Sequence, residues 1–465
     1  MHNIFTSTVA ALSTARGRAG IAVIRITGSD CFDIVKKVFV PRSGRDIASY
    51  SPSTAIYGDI YYEGEVIDSG LCTVFFAPHS YTGEDTAEIS CHGNDLCASL
   101  VLSSLFAAGA VPAGPGEFTR RAFTNGKLTL TQAEAVAELI DANSTASLRL
   151  SNAKVAGKLA NEIDSVTSEL TSILSSVYAY IDYPDEDLTD MTSEEMKEKL
   201  CNIKERLSRL LKSYATGRAV SAGIETAIVG LPNSGKSSLL NLLVGSERAI
   251  VTDIAGTTRD IITEKVNIGN VTLNLSDTAG IRDTDDTVEK IGVDRAFSSM
   301  ENAELVLAVT DGTQKLCEGE EKLFSHIGAL SGKNVIVIVN KNDVGEILPE
   351  KKAFLDNSCG NIKKIYLSAK YGEGKDALEE AIAEMYPAGD ELLLSGLVIT
   401  GARVYAAVKN AYEAVCDGIL ALETLTQDVA GTDIERAISH LSEADGRQVT
   451  EEIVNNIFSH FCVGK

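Results

Sequence analysis

The segment that most constrains the fold of this chain is residues 230–237, which read GLPNSGKS. It fits the phosphate-binding pattern G-x-x-x-x-G-K-[ST], and it stands between an apolar, strand-like run at 226–229 and a helical run at 238–244. Glycines let the backbone curl so that its N–H groups surround phosphates, while Lys236 adds a positive charge and the Ser237 hydroxyl can ligate Mg²⁺. A strand, this loop and a helix in succession predict a parallel sheet covered by helices.

Three further segments follow predicted strands in the order typical of Ras-like GTPases. Residues 277–280 read DTAG after a strand at 271–275, residues 340–343 read NKND after 335–339, and residues 368–370 read SAK after 365–367. The carboxylate at the end of NKND can accept two hydrogen bonds from guanine N1–H and N2–H₂, which adenine does not offer. These segments resemble the nucleotide-reading motifs of that family and predict GTP as the bound nucleotide.

The residue after DTAG is Ile281, where Ras carries the glutamine that orients the attacking water. Isoleucine cannot do that chemistry, so hydrolysis must use another polar group. The next residues supply four acidic candidates, Asp283, Asp285, Asp286 and Glu289. Acids near a helix start are by default solvated or capping residues, and the residues alone leave the choice open.

Proline content and hydrophobic periodicity divide the chain into four segments. Five of the nine prolines lie in the first quarter, where short β-rich runs alternate with Gly, Pro and Ser, and this predicts a mixed α/β domain at 1–120. Apolar residues three or four apart predict helices at 121–222 and at 388–465. Alternating strands and helices predict a P-loop domain with a mostly parallel sheet at 223–387. The expected fold class is therefore α/β plus all-α, with the P-loop domain inserted into the helical one.

Charge limits how this chain can hold nucleic acid. The net charge is -23, and -16 of it lies in residues 223–465. Binding driven by phosphate charge needs a local surplus of Lys and Arg, so a tight electrostatic grip on RNA by this chain alone is not expected. An RNA should meet residues 1–222 or the basic surface of a partner.

The N-terminus and the nine cysteines indicate the compartment. No basic segment followed by an apolar one opens the chain, and no run approaches the roughly 20 apolar residues that cross a bilayer. We therefore expect a cytoplasmic protein with no membrane attachment and with reduced thiols. Cys91 and Cys97 flank His92, but no second Cys/His pair stands at zinc-ligand spacing, so the sequence does not favour a metal site there.

Seven further segments are spread over nearly the whole chain: GIAVIRI at 20–26, YTGEDTAE at 81–88, GPGEF at 114–118, NGKL at 125–128, DYPDE at 182–186, TDIAGTTRD at 252–260 and FCVGK at 461–465. Together they resemble the MnmE (TrmE) family of tRNA-modification GTPases. Two positions depart from the family pattern, because Asn94 replaces a usual glycine and Val463 a usual isoleucine. The resemblance implies an N-terminal folate-binding-like domain, a helical domain and an inserted Ras-like domain.

For the N-terminal domain, the resemblance implies dimerisation and binding of a 5-formyltetrahydrofolate-type one-carbon donor. The matching residues are Arg25, Glu88 and Lys127, with Lys465 nearby. Arg and Lys suit the folate carboxylates, and Glu88 can accept hydrogen bonds from the pterin edge. The family pattern also places Cys462 near the folate and the substrate uridine, with a role in modification.

For the inserted domain, the resemblance implies a GTPase activated by K⁺ and by pairing of two such domains. Asn233 would bind K⁺ through its side chain, and backbone carbonyls of Thr252, Ile254 and Thr257 would complete the shell. The ion would put positive charge where an arginine finger otherwise acts on the transition state. The water-orienting acid of the family falls on Glu289.

The resemblance and the motifs together assign the remaining nucleotide contacts. Ser237 and Thr258 would ligate Mg²⁺. The residues expected to bind GTP are Asn233, Ser234, Gly235, Lys236, Ser237, Ser238, Thr252, Thr257, Thr258, Asp277, Thr278, Ala279, Gly280, Asn340, Lys341, Asp343, Ser368 and Ala369.

The function implied by the resemblance is addition of an aminomethyl or carboxymethylaminomethyl group to C5 of the wobble uridine, position 34, of certain tRNAs. A homodimer of this chain would act with an MnmG-type flavoprotein in a heterotetramer, and FAD would enter only through that partner. The alternative is a GTPase switch that serves ribosome assembly or binds RNA without modification chemistry. Such a factor shares the GTPase motifs but does not need Arg25, Glu88, Lys127 or Cys462.

Overall fold

The computed structural model describes residues 7–182, 191–245, 264–275, 300–330, 332–387, 389–424 and 427–464. The chain divides into two compact units, one of residues 1–137 with 439–465 and the other of residues 138–438. The finer division into four domains, with limits after residues 120, 222 and 387, remains a prediction.

The described residues form the following strands and helices, numbered in chain order. The strands are β1 (Val9–Leu12), β2 (Ile21–Thr27), β3 (Phe39–Pro41), β4 (Ala55–Tyr62), β5 (Glu65–Phe75), β6 (Thr86–His92), β7 (Val111–Pro112), β8 (Ile224–Val229), β9 (Glu264–Ile268), β10 (Val271–Leu275), β11 (Leu305–Asp311), β12 (Asn334–Asn340) and β13 (Lys363–Tyr366). The helices are α1 (Cys31–Val38), α2 (Asp95–Ala108), α3 (Glu117–Thr124), α4 (Leu130–Ile140), α5 (Thr145–Val155), α6 (Lys158–Asp182), α7 (Ser193–Ser221), α8 (Lys236–Val244), α9 (Glu318–Ala329), α10 (Pro349–Ser358), α11 (Lys375–Met385), α12 (Asp390–Ser395), α13 (Ala402–Thr424), α14 (Gln427–Asp445) and α15 (Glu451–Ser459).

The first unit contains a sheet in the order β3-β4-β5-β6-β2-β1-β7. Its neighbours are antiparallel except for β1 and β7, which are parallel. Along β2, Ile24 and Ile26 are fully buried whereas Arg25 between them is partly exposed, as the two-residue period of a strand requires. Val35 of α1 and Val101 of α2 belong to the same core as these isoleucines. Helices α1 and α2 therefore cover one face of the sheet. The face that carries Arg25, the open face, is covered in part near β1, where Phe118 of α3 packs with Val9 and Ala11.

Residues from the far end of the chain complete this first unit. Phe458 of α15 and Phe461 pack with Leu130 and Ala133 of α4 in one hydrophobic cluster. Beyond them, Val463 forms an antiparallel β-bridge with Pro115. The C-terminal segment is thus held by both side-chain packing and backbone pairing.

A buried ionic network ties α3 to the N-terminal strand region. The Arg121 side chain has no exposed surface, and its Nη1 donates to Glu84 Oε2 at 2.9 Å. Its Nη2 donates to Glu117 Oε1 at 2.7 Å and to the Ser7 carbonyl at 3.0 Å. Because a buried charge is tolerated only when it is paired and hydrogen-bonded, this guanidinium requires both acids.

The second unit contains a six-stranded sheet in the order β13-β12-β11-β8-β10-β9. All neighbours are parallel except β9, which pairs antiparallel with β10 at the edge. Every residue of β11 is buried, which is typical of a strand with helices on both faces of its sheet. The expected mixture of an α/β domain, helices and a mostly parallel sheet is confirmed.

Long helices accompany that sheet within the second unit. A capping box starts α7, in which the Thr192 hydroxyl accepts from Glu195 N and the Glu195 carboxylate accepts from Thr192 N. Tyr214 of α7 stacks on Tyr405 of α13 with ring centres 4.3 Å apart. Close packing near the end of α7 leaves room only for glycine at 217, because a Cβ there would lie 2.2 Å from the Ile399 carbonyl oxygen.

Replacement of Arg121 tests the buried network. We expect Arg121→Met to lower the free energy of unfolding by about 3–5 kcal/mol, because it leaves Glu84 buried without its cation. Urea unfolding followed by circular dichroism measures this. Among the described residues, the neighbouring Arg120 forms an ion pair with the exposed Glu451, at 3.6 Å, so Arg120→Met should cost less than about 1 kcal/mol. Equal losses in the two variants would contradict the role assigned to Arg121.

Candidate functional site

The loop 230–235 leaves β8 and enters α8, as the phosphate-binding motif predicts. Two of its glycines are required by geometry. Gly230 has a φ of +155°, and a Cβ there would lie 2.3 Å from the Val309 carbonyl oxygen. Gly235 has a φ of +100°, and a Cβ there would lie 1.9 Å from Asn340 Nδ2. Only glycine fits either position, so the backbone is free to curl around a ligand.

The polar groups of this loop point to an anionic ligand. Lys236, the first residue of α8, donates from Nζ to the Leu231 carbonyl at 2.9 Å, and partial burial lowers its pKa. The Ser234 hydroxyl is buried and has no hydrogen-bond partner among the described residues. A phosphate group would restore solvation to the ammonium and a partner to the hydroxyl. Ser237 and Ser238 are exposed in the first turn of α8.

The side chain of Asn340 connects this loop to a second one. Asn340 ends β12 and is buried, and its Nδ2 donates to the Ser234 carbonyl at 2.9 Å. Its Oδ1 accepts from the Ala369 backbone N–H at 3.0 Å. Because Ser368 and Ala369 lie in the loop after β13, one amide brings together three of the segments singled out in the sequence.

Lys341 and Asp343 extend the same edge of the sheet. Lys341 has a φ of +67°, and its Nζ lies 2.7 Å from Asp311 Oδ2. Burial would raise the pKa of Asp311, but hydrogen bonds from Lys341 and Thr313 outweigh it and lower the pKa. Asp343 is exposed at the rim, where a base edge could reach its carboxylate.

Several predicted site residues lie outside the described residues. They are Thr252, Ile254, Thr257, Thr258, Asp277, Thr278, Ala279, Gly280, Glu289 and Lys465. Their assigned contacts with GTP, Mg²⁺, K⁺, water and folate remain predictions.

A second set of predicted residues meets on the open face of the N-terminal sheet. Arg25 of β2 and Glu88 of β6 are cross-strand partners, and Arg25 Nε donates to Glu88 Oε1 at 2.9 Å. The Arg25 guanidinium lies 5.7 Å from the Tyr81 ring centre and 5.5 Å from that of Phe118, within the range of cation–π attraction. Both members of the ion pair keep some exposed surface, so the pair can meet a ligand.

Lys127 and Cys462 lie in the same unit as this pair. Lys127 Nζ donates to the Pro78 carbonyl at 3.0 Å, and the pair of residues is exposed. Cys462 is an exposed thiol whose backbone carbonyl accepts from Gly116 N at 3.3 Å. Gly116 caps the start of α3, two residues before the Phe118 that faces Arg25. The structure therefore holds the C-terminal thiol beside the helix that borders the Arg25 pair.

Two residues of these sites were not predicted from the sequence. Asp311 ends β11 and holds the NKND lysine, but an aspartate at a strand end resembles any capping residue. Tyr81 lies beside Arg25, and its hydroxyl hydrogen-bonds with the Thr119 hydroxyl at 2.9 Å. Burial raises the Tyr81 pKa, so the phenol stays neutral. Their partners are distant in sequence, which is why no local pattern pointed to them.

None of the described helices is both long and apolar enough to cross a membrane.

Two known protein-family models match this chain, one at its N-terminal part and one over the rest. Residues 8–127 match the family described as GTP-binding protein TrmE N-terminus, and residues 130–462 match the MnmE helical domain. The chain is 39% identical over 459 residues to the tRNA modification GTPase MnmE of Clostridioides difficile strain 630, covering 98% of this chain and 99% of that one. It is also 39% identical over 465 residues to the protein of the same name from Thermotoga maritima, covering 98% and 100%.

Among solved structures, the chain is similar to the G domain of the T. maritima FeoB iron transporter, with 26% identity and a TM-score of 0.26 over 35% of this chain and 97% of that one. The family models and the near full-length relatives confirm the resemblance found in the motifs. The chain belongs to the MnmE family of tRNA-modification GTPases.

Proposed function

We propose that this GTPase couples GTP hydrolysis to the addition of an aminomethyl or carboxymethylaminomethyl group to C5 of the wobble uridine, position 34, of certain tRNAs. The observation that carries the proposal is the joint match of residues 8–127 and 130–462 to the two family modules. A GTPase that only assists ribosome assembly would have no use for the first module or for the Arg25–Glu88 pair that it contains.

The loop 230–235 would bind the phosphates of GTP. The close approach of Val309 and Asn340 to its glycines and the unpartnered Ser234 hydroxyl fit an anion cradle. Lys236 would leave the Leu231 carbonyl to contact the β- and γ-phosphates. Mg²⁺, when bound, neutralises phosphate charge. The exposed Ser237 hydroxyl would be one of its oxygen ligands, and Thr258 would be the second.

The loops after β12 and β13 would select guanine. Asp343 would accept from guanine N1–H and N2–H₂, while the Ala369 region would face the base oxygen. Asn340 would hold both loops in place through its two hydrogen bonds. This arrangement supports GTP over ATP as the nucleotide, with Lys341 and Ser368 at the rim of the same site.

K⁺ would bind at the phosphate loop, beside Asn233. Asn233 is exposed with a φ of +63°, so its amide oxygen is available to a cation that prefers neutral oxygen donors. Backbone carbonyls of Thr252, Ile254 and Thr257 would supply the other ligands. When bound, K⁺ adds positive charge beside the γ-phosphate, the place of an arginine finger in other GTPases.

Exchange of the monovalent cation tests this site. In buffers of equal ionic strength, we expect kcat for GTP hydrolysis to be about 10- to 100-fold higher in KCl than in NaCl, because only the fitting ion stabilises the transition state. Phosphate release measures the rate. Asn233→Ala should hydrolyse GTP equally slowly in both salts, and wild-type rates that are equal in the two salts would refute the K⁺ site.

Glu289 would position the attacking water, since Ile281 offers no polar group. We expect Glu289→Ala to bind GTP normally and to lower kcat by about 10²–10⁴, the range typical of a lost general base or water-positioning group. Single-turnover hydrolysis and nucleotide titration separate the two effects. Asp286→Asn, from the same acidic segment, serves as the control with activity near that of the wild type. A large loss of kcat in Asp286→Asn together with no loss in Glu289→Ala would assign the water-positioning role to Asp286 instead.

A one-carbon donor of the 5-formyltetrahydrofolate type would bind at the Arg25–Glu88 pair. The partly exposed guanidinium and carboxylate, with Tyr81 and Phe118 rings beside them, fit a planar pterin with hydrogen-bonding edges. Lys127, and Lys465 at the end of the chain, would contact the glutamate carboxylates. When bound, the donor supplies a one-carbon unit for the uridine substituent, and Cys462 would act in the modification.

The open face of the N-terminal sheet would form the homodimer contact. Tyr57 of β4 and Leu71 of β5 are cross-strand partners there, with exposed fractions of 50% and 43%, and Ile21 on β2 is 63% exposed. Large apolar side chains on one sheet face favour burial against a second copy. Such a contact would lie beside the folate-binding pair.

The wider assembly would be a heterotetramer with an MnmG-type flavoprotein. That partner would bring FAD, and the tRNA would lie against residues 1–222, which carry -7 of the net charge of -23, or against the partner itself. GTP-driven closing and opening of paired G domains would set the conformational cycle.

Replacement of Cys462 tests the modification step together with the proposed function. In cells that lack the endogenous protein, we expect the wild-type gene to restore modified wobble uridine and Cys462→Ser to leave it unmodified. Mass analysis of tRNA nucleosides is the measurement, and unchanged GTPase rates show that the variant is folded. Cys317→Ser, another exposed thiol, is the matched control. Modified uridine in cells without this protein would instead favour the ribosome-assembly function.

A further inference from the structure

Four side chains with metal-binding chemistry meet where β5, β6 and α2 come together. The ligand atoms of Asp68, Cys91 and Cys97 all lie within 4.8 Å of one another. Asp68 belongs to β5, Cys91 to β6 and Cys97 to the first turn of α2. His92, the residue after Cys91, touches the same carboxylate, with Nδ1 2.7 Å from Asp68 Oδ1. The cluster is distant from the phosphate loop in sequence and belongs to the other unit.

The Asp68 carboxylate is held in one orientation by its neighbours. Its Oδ2 accepts from His92 N at 2.8 Å and from the Cys97 thiol at 3.2 Å. Its Oδ1 accepts from Ser69 N at 2.8 Å as well as contacting the His92 ring. One carboxylate oxygen therefore faces the thiols while the other is fixed by an imidazole, an arrangement that metal-ligating carboxylates use.

Cys97 is positioned by the residue that departs from the family pattern. Asn94 is the N-cap of α2, and its Oδ1 accepts from Cys97 N at 2.8 Å. This cap fixes the backbone of Cys97 in the first turn of the helix. Held there, the Cys97 sulfur lies within 4.8 Å of the Cys91 sulfur.

The two thiols are poorly suited to act as nucleophiles. Cys91 and Cys97 are 4% and 9% exposed, and burial raises the pKa of each. Buried thiols of high pKa are inert toward electrophiles, and neither belongs to the proposed modification site. A divalent cation would bind their thiolates directly and release the two protons to solvent.

We propose that Asp68, Cys91 and Cys97 bind one zinc-class divalent cation, with His92 orienting the carboxylate and a water in the fourth position. Two thiolates and a carboxylate suit zinc, whose sulfur bonds are about 2.3 Å long. Tetrahedral ligands at that distance lie about 3.3–3.8 Å apart, so small side-chain shifts bring the present atoms into place. The ion would join two strands to a helix and stabilise the N-terminal unit without entering GTP hydrolysis.

Cobalt substitution in the full-length chain tests this site. After treatment with a chelator and a thiol reductant, we expect the protein to bind one Co²⁺ per chain, with thiolate-to-cobalt charge-transfer absorption and tetrahedral d–d bands. Zn²⁺ should displace Co²⁺ and raise the Tm of the chain. Cys91→Ser and Cys97→Ser should each lose most of the charge-transfer absorption and the Tm shift.

Two further variants separate ligation from a loss of folding. Asp68→Asn keeps the shape and both thiols, and we expect it to weaken Co²⁺ binding at least about tenfold. Cys72→Ala removes a buried thiol on the same strand as Asp68 and should leave the spectrum unchanged. Circular dichroism shows which variants are folded.

Three results would overturn the proposal. One is the absence of stoichiometric Co²⁺ binding by the reduced wild-type chain. Another is a charge-transfer band that survives in both Cys91→Ser and Cys97→Ser, which would assign the ion to other thiols. The third is a Cys91–Cys97 disulfide, found by mass spectrometry in protein isolated with thiols blocked, in place of the bound metal.

Discussion

The side-chain amide of Asn340 holds together the loops that would surround the nucleotide. Its two polar atoms pair with the Ser234 carbonyl and the Ala369 N–H, so three segments far apart in sequence share one buried contact. Each of these backbone groups would cost about 1–3 kcal/mol if it were left buried and unpaired. Gly235 belongs to the same arrangement, because its missing side chain is the space that the amide fills.

The N-terminal unit uses the charges of two arginines differently. Arg121 is fully buried between two acids and fixes the helix, whereas Arg25 pairs with one acid and keeps some exposed surface. A guanidinium that is saturated by partners has no capacity for a ligand, while one that is only partly paired does. The distinction explains why Arg121 suits a structural role and why Arg25 is the arginine that we propose to bind a ligand.

The sequence allowed the strands around the phosphate loop and the glycines of that loop to be predicted, because apolar runs mark the strands and the glycines obey local geometry. Strand β10 begins and ends where the apolar run predicted, and β8 and β12 differ from their predicted limits by one or two residues. Asp311, Tyr81 and Asp68 could not be predicted, since the partners of each are distant in sequence. The same applies to Cys91 and Cys97, whose spacing along the chain does not suggest a metal site until β5 brings Asp68 beside them.

The N-terminal unit combines residues 1–137, which are synthesised first, with residues 439–465. Helix α15 packs against the first segment, and Val463 pairs with it through the β-bridge to Pro115. During synthesis, residues 439–465 leave the ribosome only after the whole of the other unit. Domains generally fold as they emerge, so the unit of residues 138–438 can reach its structure while the first unit still lacks its last helix. Until then, the apolar residues Leu130 and Ala133 lack their contacts with Phe458 and Phe461. The N-terminal unit becomes complete only after the G domain has been translated.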